Sequence, residues 1–129
     1  ELPEGKVIDG TSVLPLLRGE SFLRERPLFW LFYKSTPMCV VREGDFVLAG
    51  NPMVPHRSKS HPFDQTDFEY IKGARMERFE LYDLGRDIGQ REDVSGGNAA
   101  LVRRLSGVME AIHAEVVAEG VVWEGLWEE

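Results

Sequence analysis

Cysteine is almost absent from this chain of 129 residues: Cys39 is the only one. A lone cysteine excludes an internal disulfide framework and leaves the redox compartment open. No apolar run approaches the roughly 20 residues that a membrane span needs, so no membrane partner is expected. Basic residues are scarce too, 15 Lys and Arg against 22 Asp and Glu, for a net charge of -7. No basic stripe offsets that charge, which argues against a nucleic acid as partner. Internal repeats and low-complexity tracts are missing. So are a nucleophile elbow, a phosphate-cradling glycine loop and a paired-carboxylate arrangement. On its residues alone the chain does not look like a complete enzyme.

What is present is a globular composition, 43% hydrophobic and 29% charged. The length suits one domain, 1–129, with a real core. The sequence opens at "ELPEGKVIDG" with neither initiator Met nor signal sequence, which reads as a piece cut from something longer.

Along the chain, "DGTSVLPLLRGE" offers Thr11 or Ser12 as an N-cap for a short helix that Gly19 ends, with Pro15 tolerated in the first turn. "PLFWLFY" is aromatic, short and apolar on both faces. It reads as a strand, and a strand without a polar face is expected at the centre of the sheet. "MCVVR" and "DFVLA" flank Glu43-Gly44 and predict a hairpin, with Gly44 supplying a positive φ. Residues 50–77 are irregular: "GNPMVPHRSKSHP" is a loop, and "DQTDFEYIKGARM" is a short helix capped by Asp64 and stopped by Gly73. In "ERFELYDL", Phe79 and Leu81 point one way and Glu80 and Tyr82 the other. Leu101, Leu105, Val108, Met109, Ile112 and Val116 then form a helical stripe, with Asn98 as cap and Gly120 as stop. Gly107 inside it points either to a close neighbour or simply to a weak spot. The tail "VVWEGLWEE" brings Trp123, Leu126 and Trp127 to dock on the body or on a missing partner. The expected fold is α+β: a small antiparallel sheet of about four strands with a long C-terminal amphipathic helix packed on one face.

Few residues invite chemistry. Asp83, Asp87 and Asp93 stand in an acidic turn, but a calcium loop needs oxygens at alternating positions and a late bidentate Glu. Here the spacing fails and Arg86 intervenes, so Asp83 and Asp87 are expected to accept from the turn's own amides. His56 and His61 are a poor zinc pair without cysteine or carboxylate neighbours. His113 falls beside the apolar stripe, a surface or boundary position. "HRSKSH" is either a rim that attracts an anionic substrate or a solvated loop. Cys39 lies within a strand and reads as structural.

Taken in order, "VIDGTSVLPLLRGE", "RPLFW", "VVREGDFVLAG" and "FELYDLGRDIGQREDV" resemble the C-terminal portion of type I sulfatases, the arylsulfatase-like sulfuric ester hydrolases of the alkaline-phosphatase-like superfamily. The resemblance spans nearly the whole chain; the first and last blocks are fairly specific as an ordered set. Departures are clear. The family's Trp-Lys after Gly-Asp is Phe46-Val47 here, and the Pro, Glu and Asn of its last block are Ile88, Gln90 and Asp93.

The resemblance implies a small C-terminal domain, with residues 1–20 a short helix and link from an N-terminal catalytic domain. That domain would hold the formylglycine nucleophile, made from a C/S-x-P-x-R motif, and the calcium beside it. Cys39 continues as "CVVR" and does not match the motif, so the chain itself is assigned no catalytic residue, no metal and no cofactor. Its implied partners are the catalytic domain and a sulfated small molecule or glycan. Tyr33, Lys34, His56 and Arg57, in the connections after the first and third strands, are the candidates for lining the substrate pocket. A typical bacterial parent would be periplasmic or secreted. The competing expectations are a freestanding α+β module that binds protein or carbohydrate, and the C-terminal part of a phosphodiester or phosphonate hydrolase.

Overall fold

The computed structural model describes residues 10–32, 38–52 and 72–120. Among them run α1 (Leu14–Leu17), β1 (Leu28–Phe32), β2 (Met38–Glu43), β3 (Phe46–Pro52), β4 (Met76–Asp83), a 3-10 turn (Ser95–Gly97) and α2 (Ala99–Glu119). The strands form one antiparallel meander in the order β1-β2-β3-β4. With α2 lying on one face, the class is α+β, as expected.

Register explains which side chains meet the helix. The pairs Phe29↔Val41, Val41↔Leu48 and Leu48↔Leu81 line up one apolar row across all four strands. Cys39, Val41, Leu48 and Leu81 are fully buried there, together with Leu105 and Met109 of α2. Burying side chains of this size stabilises by roughly 1.5–3 kcal/mol each. The predicted alternation in β4 holds, with Phe79 and Leu81 on the helix side. β3 is buried on both faces, because Val47 and Ala49 are covered on the side away from α2 as well.

The position of β1 differs from expectation: it is an edge strand, paired only with β2 among the described strands. Apolar residues on both faces call for cover above and below, not for hydrogen-bonded neighbours on both flanks. Phe29 and Leu31 pack against the core, whereas Trp30 and Phe32 face away and stay 49% and 54% exposed.

The turn between β2 and β3 is the predicted hairpin, Glu43 pairing with Phe46 across a two-residue loop. Gly44 carries φ 58°, the left-handed value such loops favour. β3 and β4 run further than the pattern suggests, to Pro52 and from Met76. A register irregularity at Asn51/Pro52 lets Arg78 face Asn51 and Met76 face Pro52, which turns Met76 into the core. Of the helix expected after Asp64, only Lys72 and Gly73 are described; both are helical and the chain leaves the helix at Ala74.

The N-cap of α1 is Val13 rather than Thr11 or Ser12, although the Leu14 amide donates to Ser12 Oγ at 3.4 Å. Its end is a Schellman arrangement: Gly19 N–H donates to Leu16 O and Glu20 N–H to Pro15 O, with Gly19 at φ 75°. Little of this arm is buried, Leu17 being 80% and Leu23 87% exposed. Arg26, just before β1, reaches across to Glu115 of α2 at 2.5 Å.

Asn98 is the N-cap of α2 as predicted, but its side chain does not cap. Its side-chain amide nitrogen donates backward to Val94 O at 2.8 Å, while its backbone carbonyl accepts from Val102 N–H. Arg104 grips Glu43 at the hairpin with both guanidinium nitrogens. The helix packs tightly on Gly50, where an added Cβ would meet Met109 Sδ at 2.7 Å, with Met76 Cβ at 3.2 Å. Gly107 faces open space instead.

These two glycines should respond oppositely to alanine. Gly107→Ala should raise stability by about 1 kcal/mol, because a helix interior favours Ala over Gly. Gly50→Ala should lower it by about 1–3 kcal/mol through overpacking. Urea midpoints at unchanged m-value are the measurement, and equal effects from the two would contradict this helix placement.

Candidate functional site

The acidic stretch after β4 builds a corner that converts a strand into a helix. Leu84 N–H donates to Asp45 O at 2.7 Å, locking the exit of β4 to the hairpin turn, with Tyr82 and Leu84 half-buried beside it. Asp83 Oδ1 accepts from Gly85 N–H at 3.0 Å. Asp87 Oδ2 accepts from the amides of Arg91 and Glu92, the latter at 2.9 Å. Gln90 between them takes φ 51°. Asp93 Oδ1 accepts from Leu81 N–H and Ser95 N–H, both at 2.9 Å, and its Oδ2 accepts from Ser95 Oγ. The sequence expectation for Asp83 and Asp87 holds. Asp93 ties the middle of β4 to the 3-10 turn that precedes α2.

The electrostatics follow from these bonds. The Glu92 and Arg91 amides hold the Asp87 carboxyl below the usual carboxylate range. The Leu81 and Ser95 amides do the same for Asp93. Arg104 lowers Glu43 through its side-chain hydrogen bonds. Tyr82, donating to Glu80 Oε2 at 2.8 Å, is pushed up to about 12, mainly by that bond. Burial pushes the Cys39 thiol up to about 11, where it is neither a thiolate nor accessible.

Neither group implied by the family resemblance fits these residues. The three corner carboxylates already accept from backbone amides, and Arg86 Nε stands 3.6 Å from Asp83 Oδ2. Among the described residues, no group of three or more His, Cys, Asp or Glu is placed to hold a metal ion. Cys39 is sealed in the core. No step of a reaction is derived through calcium or formylglycine in this chain.

The other end of the sheet is where the substrate candidates belong in the sequence. Tyr33, Lys34, His56 and Arg57 all lie outside the described residues, as do Trp123, Leu126 and Trp127. The strand ends that flank the candidates are described. Phe32 pairs with Met38, and Pro52 pairs with Met76. In this meander both pairs sit at one end of the sheet, opposite the Gly44 turn. The connections 33–37 and 53–75 therefore leave and return at a common end.

A cavity of about 270 Å³ opens near that end, lined by Ala74, Arg75, Met76, Glu110 and His113. His113 is more deeply placed than its position beside the stripe suggests, at 9% exposed. Packing of the α2 face against the start of β4 accounts for this. Arg75 and Glu110 carry no sequence signal of a site, and only the fold brings them together. No protein-family model matches the chain, and no curated protein sequence does either.

The corner predicts a pH dependence. The Asp93 carboxyl titrates lower in the folded chain than in the unfolded one, so its contribution is complete above the ordinary Asp value of about 4. It is lost as pH falls through the depressed folded value. Asp93→Ala should cost about 1–2 kcal/mol at pH 7, since the amide of buried Leu81 loses its acceptor. That difference should shrink in strong acid. Urea unfolding of both proteins across an acid series tests it, and a pH-independent difference would refute the role given to the carboxylate.

Proposed function

We propose that this chain is the smaller C-terminal domain of a type I sulfatase. In this reading it is a non-catalytic part of a sulfuric ester hydrolase that packs on a larger catalytic domain and shapes the rim of the substrate pocket. The observation that carries the reading is the order of the four sequence blocks, each coinciding with one working part of the fold. "VIDGTSVLPLLRGE" runs into α1, "RPLFW" enters β1, "VVREGDFVLAG" is the β2–β3 hairpin and "FELYDLGRDIGQREDV" is β4 with its corner.

Division of labour follows from the chemistry. The formylglycine nucleophile and the calcium belong to the N-terminal domain, and a sulfate ester requires an electropositive, water-shielded pocket there. The cap supplies shape and a few polar contacts that select the alcohol portion of a sulfated small molecule or glycan. Tyr33, Lys34, His56 and Arg57 are the residues proposed for it, because connections between strands are natural suppliers of binding groups. Support for a large partner comes from the apolar surface on display. Leu14, Leu16, Leu17 and Leu23 on the arm, with Trp30 and Phe32 on the sheet face away from α2, are exposed. Large apolar side chains left exposed in this number are consistent with an interaction surface.

The purified chain should not turn over p-nitrophenyl sulfate, even with calcium added. In the whole parent, Lys34→Ala or Arg57→Ala should raise KM several-fold for an anionic ester while kcat moves little. Saturable hydrolysis by the isolated chain would defeat the proposal. So would an upstream reading frame without a C/S-x-P-x-R motif, which would leave a freestanding binding module as the better account.

A further inference from the structure

We infer that the cleft between the C-terminal half of α2 and the chain around the start of β1 binds a small aryl carboxylate, an organic anion of one ring and one acid group. The inference stands independently of the sulfatase reading.

Size narrows the occupant first. The cleft holds a cavity of about 240 Å³. An apolar cavity of about 150 Å³ accepts a benzene ring, and drug-sized ligands need roughly 300–1,000 Å³. The cleft therefore has room for one ring with a small substituent.

The lining narrows it further. Leu28, Phe29, Ile112 and Val116 make it apolar, and Arg24 and Arg26 bring two guanidinium groups to the same space. Ile112 is buried, whereas Val116, the next member of the α2 stripe, is 40% exposed. The apolar lining thus runs from the core out to the surface, and a ring laid against it removes that surface from water. Two cations beside it stand out in a chain of net charge -7. The Nε atom of Arg24 is shut off from solvent. A charge placed so attracts an anion more strongly than a solvated one, because screening is weaker. A guanidinium takes a carboxylate through two parallel N–H bonds, and its flat face attracts an aromatic ring. One acid group joined to one ring uses both properties.

Both arginines already make interactions within the chain, Arg26 through Nη2 to Glu115 Oε2 at 2.5 Å. A ligand carboxylate joins that set, since the five N–H donors of a guanidinium accommodate more than one acceptor. Glu115 offsets one of the two positive charges. The excess that is left suits a monoanion rather than a dianion.

Benzoate is the probe, titrated into the isotope-labelled chain with amide chemical shifts as the readout. The amides of Arg26, Leu28, Phe29, Ile112 and Val116 should move together and saturate, with a dissociation constant on the order of 1 mM for so small a ligand. Benzyl alcohol keeps the ring without the charge, and acetate keeps the charge without the ring. Each should bind about tenfold more weakly than benzoate, and Arg24→Gln should weaken benzoate by about the same factor. Val116→Glu sets a carboxylate on the exposed rim and should also abolish saturation, while the urea midpoint still reports a folded chain. Shifts that stay linear in benzoate, or that fall on other surfaces, would overturn the inference. Equal binding of benzyl alcohol would overturn it by reducing the site to an apolar gap, and equal binding of acetate by reducing it to surface charge. Undiminished affinity in Val116→Glu would overturn it by placing the ligand elsewhere.

Discussion

Among the described residues the core rests on the seam between α2 and the sheet, and at Gly50 the Met109 side chain leaves no room for a Cβ. The absent side chain at Gly50 lets α2 settle low enough for Leu105 and Met109 to become fully buried against Val41, Leu48 and Leu81. Interiors are packed at crystal-like density, so this depth cannot be relaxed locally without opening voids along the whole row. The seam also decides what the rest of the chain must do. β1 has to stay antiparallel to β2 to bring Phe29 and Leu31 under the helix. The hairpin has to be two residues long to bring Val41 opposite Leu48. Only one face of the sheet is served by α2, which leaves the Trp30 and Phe32 side to other cover.

An apolar seam alone does not set where along the sheet the helix begins. Asp93 does that, by accepting from Leu81 N–H in β4 and from Ser95 N–H at the helix entrance. A carboxylate suits the task because it accepts several amide bonds at once and each is charge-assisted. The same fact removes the corner from chemistry. Its carboxylates are spent on amides, and the lowered proton affinity of Asp87 and Asp93 is the signature of those bonds rather than of a reactive group. A cluster of acidic residues in a sequence is therefore ambiguous until the backbone around it is known.

That ambiguity marks the line between what was legible and what was not. The hairpin at Gly44, the alternation of Phe79 to Tyr82 and the stripe of α2 follow from local periodicity, and all three are present. β1 stands at the edge because face cover and edge pairing are separate requirements, and apolar residues on both faces specify only the first. Asn98 was found by position, but its side chain bonds Val94 O, a partner that depends on how the corner folds. The inward turn of Met76 depends on a register shift, and the burial of His113 depends on which strand passes beneath it. Neither is encoded within a few residues. For the candidate site, the sequence supplied the residue types and the two connections carrying them. That both connections share one end comes from the meander, and the meeting of Arg75, Glu110 and His113 comes from contacts across some 35 positions.

The two ends of the sheet differ in what they can accommodate. At the corner end, the turn at Gly44, the Leu84–Asp45 bond and the Glu43–Arg104 pair leave the backbone short and cross-linked. Over residues 83–93 four carboxylates face two arginines, whereas over 72–78 three cations face one carboxylate. A negatively charged ligand is repelled by the first arrangement and drawn to the second, most of all where neighbouring protein excludes water and screening is weak. The long connection 53–75 enters at that more basic end, and so does the shorter one after β1. In a chain of net charge -7 such a bias is local, and it falls where the fold gathers its longest connection. The proposed role as a pocket-shaping cap would draw on this difference in charge between the two ends.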